Sequence, residues 1–241
     1  MKKAAIVIVV ILAVAAGAAY WAYHSLNLLV RIAIEHYAPE VAGVSIKVGS
    51  VDVSAADGRG VVRNLVIGNA AGFSAPTAAR VGEIRVALDP GTVTQAVVRI
   101  HELTLRSPLI TYERGEHGTN LQAIQANIQR YIAASGGPSA SRPAEAKRGR
   151  HKFVVDRLAI QGARVTMTNP GLRGQGITFG LPDIELRDLG RRQGGLTASE
   201  IGNVVAGELQ ARIAQRVLTN IEALRKGGVG GAIDALKGLF R

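Results

Sequence analysis

The stretch VGEIRVALDPGTVTQAVVRIHELTLRSPLITYE, residues 81–113, decides the fold. Apolar side chains alternate with polar ones over 81–88, 97–105 and 109–112, and an Asp-Pro-Gly turn at 89–91 separates the first two segments. A period of two is typical of half-buried strands, and Pro-Gly marks a turn. Consecutive short strands joined by tight turns predict an antiparallel sheet.

The two faces of these predicted strands differ in chemistry. One face carries charged residues such as Arg85 and Glu102. The other face is apolar and includes Val86, Leu88, Ile100, Leu103 and Leu105. Two segments with a similar pattern, 44–53 and 61–67, precede them. An apolar sheet face must be covered, and either helices or a lipid can cover it.

A second set of strands is predicted after residue 150, over 153–160, 164–168, 177–181 and 184–189. The segment VVDRLAIQGARVTMTN resembles VRIHELTLRSPLITYE, because in each of them one strand runs through a small turn region into the next. This likeness indicates two copies of one structural unit. The small, polar and basic segment between the two sets, residues 135–150, predicts a flexible linker that divides the sheet into two lobes.

Two amphipathic helices are predicted beside the strands. Thr119-Asn120 caps a mid-chain helix whose apolar stripe is Leu121, Ile124, Ile128 and Ile132. The segment 197–200, Thr-Ala-Ser-Glu, fits a capping box and opens a long helix to about Lys226, with an apolar stripe over 201–224. After a glycine-rich hinge, the basic amphipathic tail 232–241 is suited to a membrane surface, to a partner or to its own body.

The N-terminal segment 4–23 holds twenty residues without a charge. At ~1.5 Å per residue, a helix of this length spans the ~30 Å hydrocarbon layer of a membrane. The residues at the two ends fit a membrane anchor whose N-terminus is cytoplasmic. Lys2 and Lys3 precede the apolar run, and Tyr20, Trp21 and Tyr23 lie at its far end. The rest of the chain is then expected outside the cytoplasm.

The alternative is a secretory signal cut after a small-x-small site, either 13–15 or 16–18. An uncleaved anchor is preferred because the apolar run is long and ends in bulky aromatic residues. Apolar residues at helical spacing after it predict that the helix continues to Ala38, where Pro39 stops it.

The composition narrows the classes of function. Of the 241 residues, 47% are hydrophobic, which is enough to fill a core, and none is cysteine, which removes disulfides and thiolate chemistry. A formal charge of +11 favours anionic partners such as lipid headgroups, but it also keeps a protein soluble. Aromatic residues make up only 4%, so stacking platforms for single-stranded nucleic acid are scarce.

No catalytic, metal or cofactor motif is found. The five histidines are scattered, and Gly171, Gly174 and Gly176 do not have the spacing of a dinucleotide fingerprint. Glu113, Glu116 and His117 lie together and are suited either to a cation or to acid-base chemistry, but we interpret them as a solvated turn between a strand and a helix. The chain is therefore predicted to be no enzyme and to need no cofactor.

Five features follow one another in the first 132 residues: GSVD (49–52), a glycine turn, LVIGNAAGFSAP (65–76), VGEIRVALD (81–89), and IHELTLRSPLITYE with GTNL (100–121). In this order, behind an N-terminal membrane helix, they closely resemble the N-terminal module of the AsmA-like family of bacterial envelope proteins. The resemblance implies a β-groove fold related to bridge-like lipid-transfer proteins. It also implies an inner-membrane location and a role in phospholipid transport or outer-membrane integrity, and it supplies no catalytic residues.

The resulting fold prediction is α+β, with an N-terminal transmembrane helix and a curled antiparallel β-groove in two lobes. Its parts are the anchor and connecting helix 1–38, a β module with closing helix 39–134, the linker 135–150, a second β lobe 151–192 and C-terminal amphipathic helices 193–241. About ten strands side by side would give a groove near ~50 Å long, which is too short to cross a periplasm alone.

Seven residues are the candidates for lining the groove: Val48, Val51, Val53, Val86, Leu88, Leu103 and Leu105. The alternative for each is ordinary core packing under helices. We expect an inner-membrane protein, mostly periplasmic, that binds or helps to transfer phospholipid for outer-membrane biogenesis. The first alternative is an envelope scaffold that assembles with itself or a partner through its C-terminal helices, and the second is a periplasmic hydrolase. Nucleic acid is not an expected partner, because the anchor would place the basic body outside the cytoplasm.

Overall fold

The computed structural model of the chain describes residues 26–116, 118–136, 151–168 and 176–226. These residues form an α+β protein with three α-helices and one large open sheet. No helix within these ranges is long and apolar enough to cross a membrane. The predicted anchor, with Lys2, Lys3, Tyr20, Trp21 and Tyr23, lies outside the described residues, as do the linker from residue 137 onward and the tail 227–241.

The helices are α1 (26–42), α2 (Asn120–Gly136) and α3 (Ala198–Lys226). The strands up to α2 are β1 (Ile46–Lys47), β2 (Ser50–Ser54), β3 (Arg59–Gly68), β4 (Thr77–Leu88), β5 (Val97–Arg106), β6 (Leu109–Gly115) and β7 (Gly118–Thr119). The later strands are β8 (Lys152–Gln161), β9 (Arg164–Thr168), β10 (Ile177–Gly180) and β11 (Ile184–Leu189).

Several of these strands continue one another along a common line, so the sheet is six long strands wide. β5 and β6 pair with β4 in one unbroken register, because Glu83 lies opposite Arg106 and Ala79 lies opposite Ile110. The pair β1–β2 continues in the same way along β3, and β10–β11 along β9–β8. Six strands side by side span ~24 Å, about half of the ~50 Å expected from ten separate strands.

The sheet is mixed, so the prediction of an antiparallel sheet is wrong at one place. β8 runs parallel to β5, and β9 runs parallel to β6. The reason is the long connection that contains α2, since a parallel pair needs such a crossover and a tight turn cannot supply it. The strands predicted as a second lobe therefore belong to the same sheet as the first set.

The two segments that resemble each other do form equivalent units. β5 and β6 lie beside β8 and β9 with a constant offset, because Val97 pairs with Lys152 and Glu113 with Thr168. The units join through the backbone at their turns as well, where Ser107 N–H donates to the Gln161 carbonyl at 2.8 Å. The repeat predicted from the sequence is confirmed as a pair of parallel neighbours.

A row of special backbone positions crosses the sheet at one level, and we call it the crease. Its members are Gly49, Asn64, Gly82, Ser107 and Gly162. Asn64, Ser107 and Gly162 have φ values of 54°, 49° and 62°, in the left-handed region that strands normally avoid. A left-handed residue inside a strand breaks its alternation and bends it, so we infer that the sheet curls along this row.

Both predicted helix caps are confirmed. Thr197 Oγ1 accepts from the Glu200 N–H at 3.3 Å, and the Glu200 carboxylate accepts from the Thr197 N–H at 2.7 Å, which is a capping box. Thr119 and Gln122 make the same exchange at the start of α2.

The stop predicted at Pro39 is wrong, since α1 continues to residue 42. A proline near the end of a helix removes only one backbone donor, and the chain leaves the helix at Gly43, whose φ is 65°. The Gly43 N–H donates to the Pro39 carbonyl at 2.8 Å and so closes the last turn.

The crease yields a test of backbone strain at Ser107, which is exposed and therefore contributes little packing. Ser107→Val should lower the free energy of unfolding by about 1–2 kcal/mol, because a β-branched residue resists the left-handed conformation. Ser107→Gly should be neutral or stabilising. Chemical denaturation of the three proteins measures the differences, and equal stability of the Val and Gly variants would contradict the strain.

Candidate functional site

Three rows of apolar residues run across one face of the sheet, each joining direct neighbours on adjacent strands. The first row is Val51, Val62, Ile84, Leu105, Ile160 and Ile184. The second is Val53, Gly60, Val86, Leu103, Leu158 and Leu186, and the third is Leu88, Ile100, Val155 and Leu189. Neighbours in register share one face, so this face is apolar from edge to edge.

The third row reaches this face through a local irregularity. Leu158 and Val155 are three residues apart and would lie on opposite faces in a regular strand, yet both belong to the same core cluster. The pairing of β4 with β5 shifts between Ala87 and Leu88, at the same level of the sheet. Bulges of this kind re-aim side chains, and here they widen the apolar face.

Burial is not uniform along the rows and is greatest on β8 and at Ile184 of β11. At the β8–β11 end, Leu158, Ile160 and Ile184 are 0–1% exposed. They belong to a core cluster to which α3 contributes Ile201 and Ile213. The helices therefore cover this end of the apolar face.

The opposite end of the same face is different, and we call it the open strip. It consists of Val51, Val53, Val62, Ile84, Val86 and Leu88. All six are half-buried, and none belongs to either of the two core clusters formed by the described residues. The apolar face thus continues past the helix-covered core onto strands β2 to β4.

The seven predicted groove residues divide into three groups. Val51, Val53, Val86 and Leu88 lie in the open strip. Leu103 and Leu105 lie on the same face but pack against the core cluster that includes α3, so ordinary core packing describes them. Val48 lies outside the rows, 3% exposed, between β1 and β2.

Sequence reasoning missed two members of the open strip, Val62 and Ile84. A sequence signal for Ile84 was present, because Ile84, Val86 and Leu88 alternate strictly in one strand. Val62 was harder to assign, because Val61 and Val62 are adjacent and only the pairing with β4 shows which of them faces the core side.

The edge of the sheet beside the open strip is protected by α1. The Val53 N–H donates to Asn27 Oδ1 at 2.9 Å, and the Val48 N–H donates to Glu35 Oε1 at 2.8 Å. These side chains accept from the outer donors of an edge strand, which would otherwise be free to pair with another chain. Because Asn27 lies beside Val53 and Glu35 beside Val48, α1 runs antiparallel to the edge.

The outer side of α1 is apolar. Leu28, Leu29 and Ile32 are 57%, 61% and 52% exposed. Leu28 and Leu29 precede Ile32 by four and three residues, so both lie beside it on one side of the helix. Large apolar side chains grouped in this way mark a contact surface more often than a solvated one.

Glu113 is not part of a solvated turn, so that interpretation was wrong. Its carboxylate is 1% exposed and accepts from the Ser74 N–H at 2.7 Å, the Ala75 N–H at 2.9 Å and Asn69 Nδ2 at 2.9 Å. Burial by itself would raise the pKa of Glu113, but the hydrogen bonds from Ser74, Ala75 and Asn69 outweigh it and lower that pKa.

This carboxylate fastens the loop between β3 and β4 to the end of β6. Asn120 completes the contact, because its side chain accepts from the Glu113 N–H at 2.9 Å and donates to Asn69 Oδ1 at 2.9 Å. All polar groups at this position are paired within the protein, which makes Glu113 a structural residue rather than a free acid or base.

A second carboxylate, half-buried, lies on the charged face. Asp156 accepts from Arg99 Nε at 2.9 Å and from Arg191 at 3.2 Å, and it contacts His101 Nδ1 at 3.2 Å. Burial would raise the pKa of Asp156, but Arg99, His101 and Arg191 hold it below its usual value. The cluster joins β5, β8 and the turn after β11.

The described part of the α3 stripe is used inside the molecule. Ile201 and Ile213 are buried in the main core cluster, and Val205 and Leu209 pack against it. Val204 of the same stripe is the exception, because it is 38% exposed, and it leaves α3 an apolar position on which the alternative of a scaffold that assembles through this helix still rests.

No model of a known protein family matches the chain, and none of the curated proteins matches it. The fold and the candidate site define an α+β protein whose open mixed sheet has one apolar face and one charged face, with the apolar face half covered by helices.

Replacing Glu113 tests its structural role. Glu113→Gln should lower the free energy of unfolding by about 2 kcal/mol at neutral pH, because the neutral amide loses charge-assisted hydrogen bonds and turns a donor toward donors. The pKa of Glu113 is lower in the folded state than in the unfolded state. The charge of Glu113 therefore stabilises the fold fully above the unfolded pKa of about 4.3, and this stabilisation disappears as pH falls through the folded pKa.

The difference between wild type and variant should therefore shrink below about pH 4. The matched control is Glu116→Gln, an exposed position three residues after Glu113, which should be neutral. Denaturation curves from pH 3 to pH 7 measure this. A difference that stays constant over that range would refute the role of the charge.

Proposed function

We propose that this chain is a membrane-anchored envelope protein that binds phospholipid acyl chains on the open strip and helps to transfer phospholipid for outer-membrane biogenesis. The observation that carries the proposal is the open strip itself, an apolar sheet face that continues beyond the helix-covered core. The resemblance to the AsmA-like family points to the same activity.

The dimensions of the open strip suit part of an acyl chain. Its three strands span ~10 Å, and the five residues from Ile84 to Leu88 extend ~13 Å along the strand. Covering the remaining exposed surface of these side chains would gain about 25 cal/mol per Å² of apolar area removed from water. The interaction needs no specific polar partner, so it suits an acyl chain that moves along the open strip.

The exposed side of α1 supports a position near a membrane. Leu28, Leu29 and Ile32 follow directly after the predicted anchor 4–23, and the edge strand that α1 protects belongs to the open strip. A lipid leaving the bilayer beside α1 would meet Val53 and Val51 first. We propose an inner-membrane location with the N-terminus in the cytoplasm and the body in the periplasm.

Charge placed in the open strip should expel lipid. Val86→Asp introduces a carboxylate beside the core at a half-buried position, whereas Val66→Asp makes the same change at a half-buried position of the neighbouring strand that belongs to neither core cluster and lies in the row of Lys47 and Arg80. Phospholipid retained per protein chain, measured by mass spectrometry after detergent purification, should fall severalfold in Val86→Asp and stay at the wild-type level in Val66→Asp.

Lipid held around the anchor is common to both variants and cancels in this comparison. Circular dichroism and thermal unfolding establish that both variants are folded, and Leu103→Asp is unsuitable because Leu103 packs in the core. Equal retention in wild type and both folded variants would remove the open strip as a lipid site and leave the sheet face as ordinary structure.

A further inference from the structure

The face of the sheet opposite the open strip is built from charged rows. One row is Ser54, Arg59, Ala87, Glu102, Arg157 and Arg187, and another is Ser50, Arg63, Glu83, Arg106 and Gln161. Between them runs the row of Asp52, Val61, Arg85, Thr104, Ala159 and Glu185. Arginine is thus the most frequent residue on this face.

A cavity of about 400 Å³ lies on this face over strands β3, β4 and β5. Its charged lining consists of Arg59, Arg85, Arg106 and Glu102. The three arginines come from three adjacent strands, and diagonal neighbours in a sheet are ~7–8 Å apart, within the reach of a guanidinium. Three guanidinium groups can therefore approach one point.

The carboxylates nearby do not neutralise these arginines fully. Glu83 accepts from Arg85 Nε at 2.6 Å, which leaves the terminal N–H groups of that guanidinium available, and it lies 3.9 Å from Arg106. Glu102 is engaged by the Thr104 hydroxyl at 2.7 Å and by Arg157 at 3.4 Å.

The Arg59 side chain has no hydrogen-bond or ion-pair partner among the described residues, although it lines the cavity. Four arginines, counting Arg63, surround Glu83 and Glu102 on these three strands, so the local balance is positive. An anion entering the cavity would add the missing partners without displacing the existing ones.

We propose that this cavity binds a phosphate group, either a monoester or a diester, through Arg59, Arg85 and Arg106. The planar guanidinium fork matches phosphate oxygens in a bidentate manner, and several forks from different directions favour a tetrahedral anion over a planar carboxylate. The cavity volume lies within the usual range for small-ligand sites, about 300–1,000 Å³, so the group attached to the phosphate fits as well.

This site is independent of the proposed lipid function. The arginines of the cavity lie on the face opposite the open strip, because Arg85 belongs to a charged row, whereas Val86, which also borders the cavity, belongs to an apolar one. One lipid molecule therefore does not use both. The phosphate comes either from a lipid headgroup at a membrane surface or from a small soluble phosphate ester.

The test is calorimetric titration of the full chain in neutral detergent at low salt. The probes are inorganic phosphate, glycerol 3-phosphate, short-chain phosphatidylglycerol and short-chain phosphatidylcholine. The double variant Arg59→Gln/Arg106→Gln removes two cavity arginines. The control Arg187→Gln/Arg212→Gln makes the same charge change outside the cavity, on the same sheet face and on α3.

Wild type should show saturable binding of at least one phosphate probe, with a Kd about tenfold or more higher in the cavity variant and nearly unchanged in the control. Tighter binding of phosphatidylglycerol than of the soluble probes would identify a headgroup, and similar binding of all anionic probes would identify free phosphate. Absence of saturable binding in wild type, or equal weakening in both double variants, would overturn the site. Neither result depends on lipid retention in Val86→Asp.

Discussion

The structure depends on one constraint, the continuity of apolar side chains across six paired strands. Ile184 and Ile160 are buried at one end of such a row, and Val62 and Val51 are half-buried at the other. Ile201 and Ile213 of α3 pack at the buried end, whereas the half-buried end belongs to neither core cluster of the described residues, so core and open strip are two portions of one surface. The stability of the fold and the proposed lipid site thus have the same origin.

The crease places the unusual backbone conformations of several strands at one level of the sheet. Asn64, Ser107 and Gly162 adopt left-handed conformations. Gly82 lies between Asn64 and Ser107 in the same row, and Gly49 lies on the other side of Asn64. A bend in one strand alone would break its hydrogen bonds with the next. The special positions align across the sheet, and the register is the same on both sides of this row.

The sequence predicted local structure well and long-range pairing poorly. Alternation and capping residues identified the strands around Val86 and the start of α3 at Thr197, because those signals depend on neighbours in the chain. The parallel pairing of Val97 with Lys152 was not predictable from a period of two, which is the same for parallel and antiparallel strands. The roles of Leu103 and Glu113 depended on which distant segment packs over them, α3 in one case and the loop at Ser74 in the other.

The two faces place their unusual features back to back on β3 and β4. Gly60 lies in an apolar row and lacks a side chain, and its neighbours Arg59 and Val61 line the cavity on the other face. A helix packed on the apolar side would remove more water from these strands. The arginines keep the opposite face of the same strands hydrated. The two proposed ligands therefore demand different partners on opposite faces of the same strands, apolar side chains for an acyl chain and guanidinium groups for a phosphate.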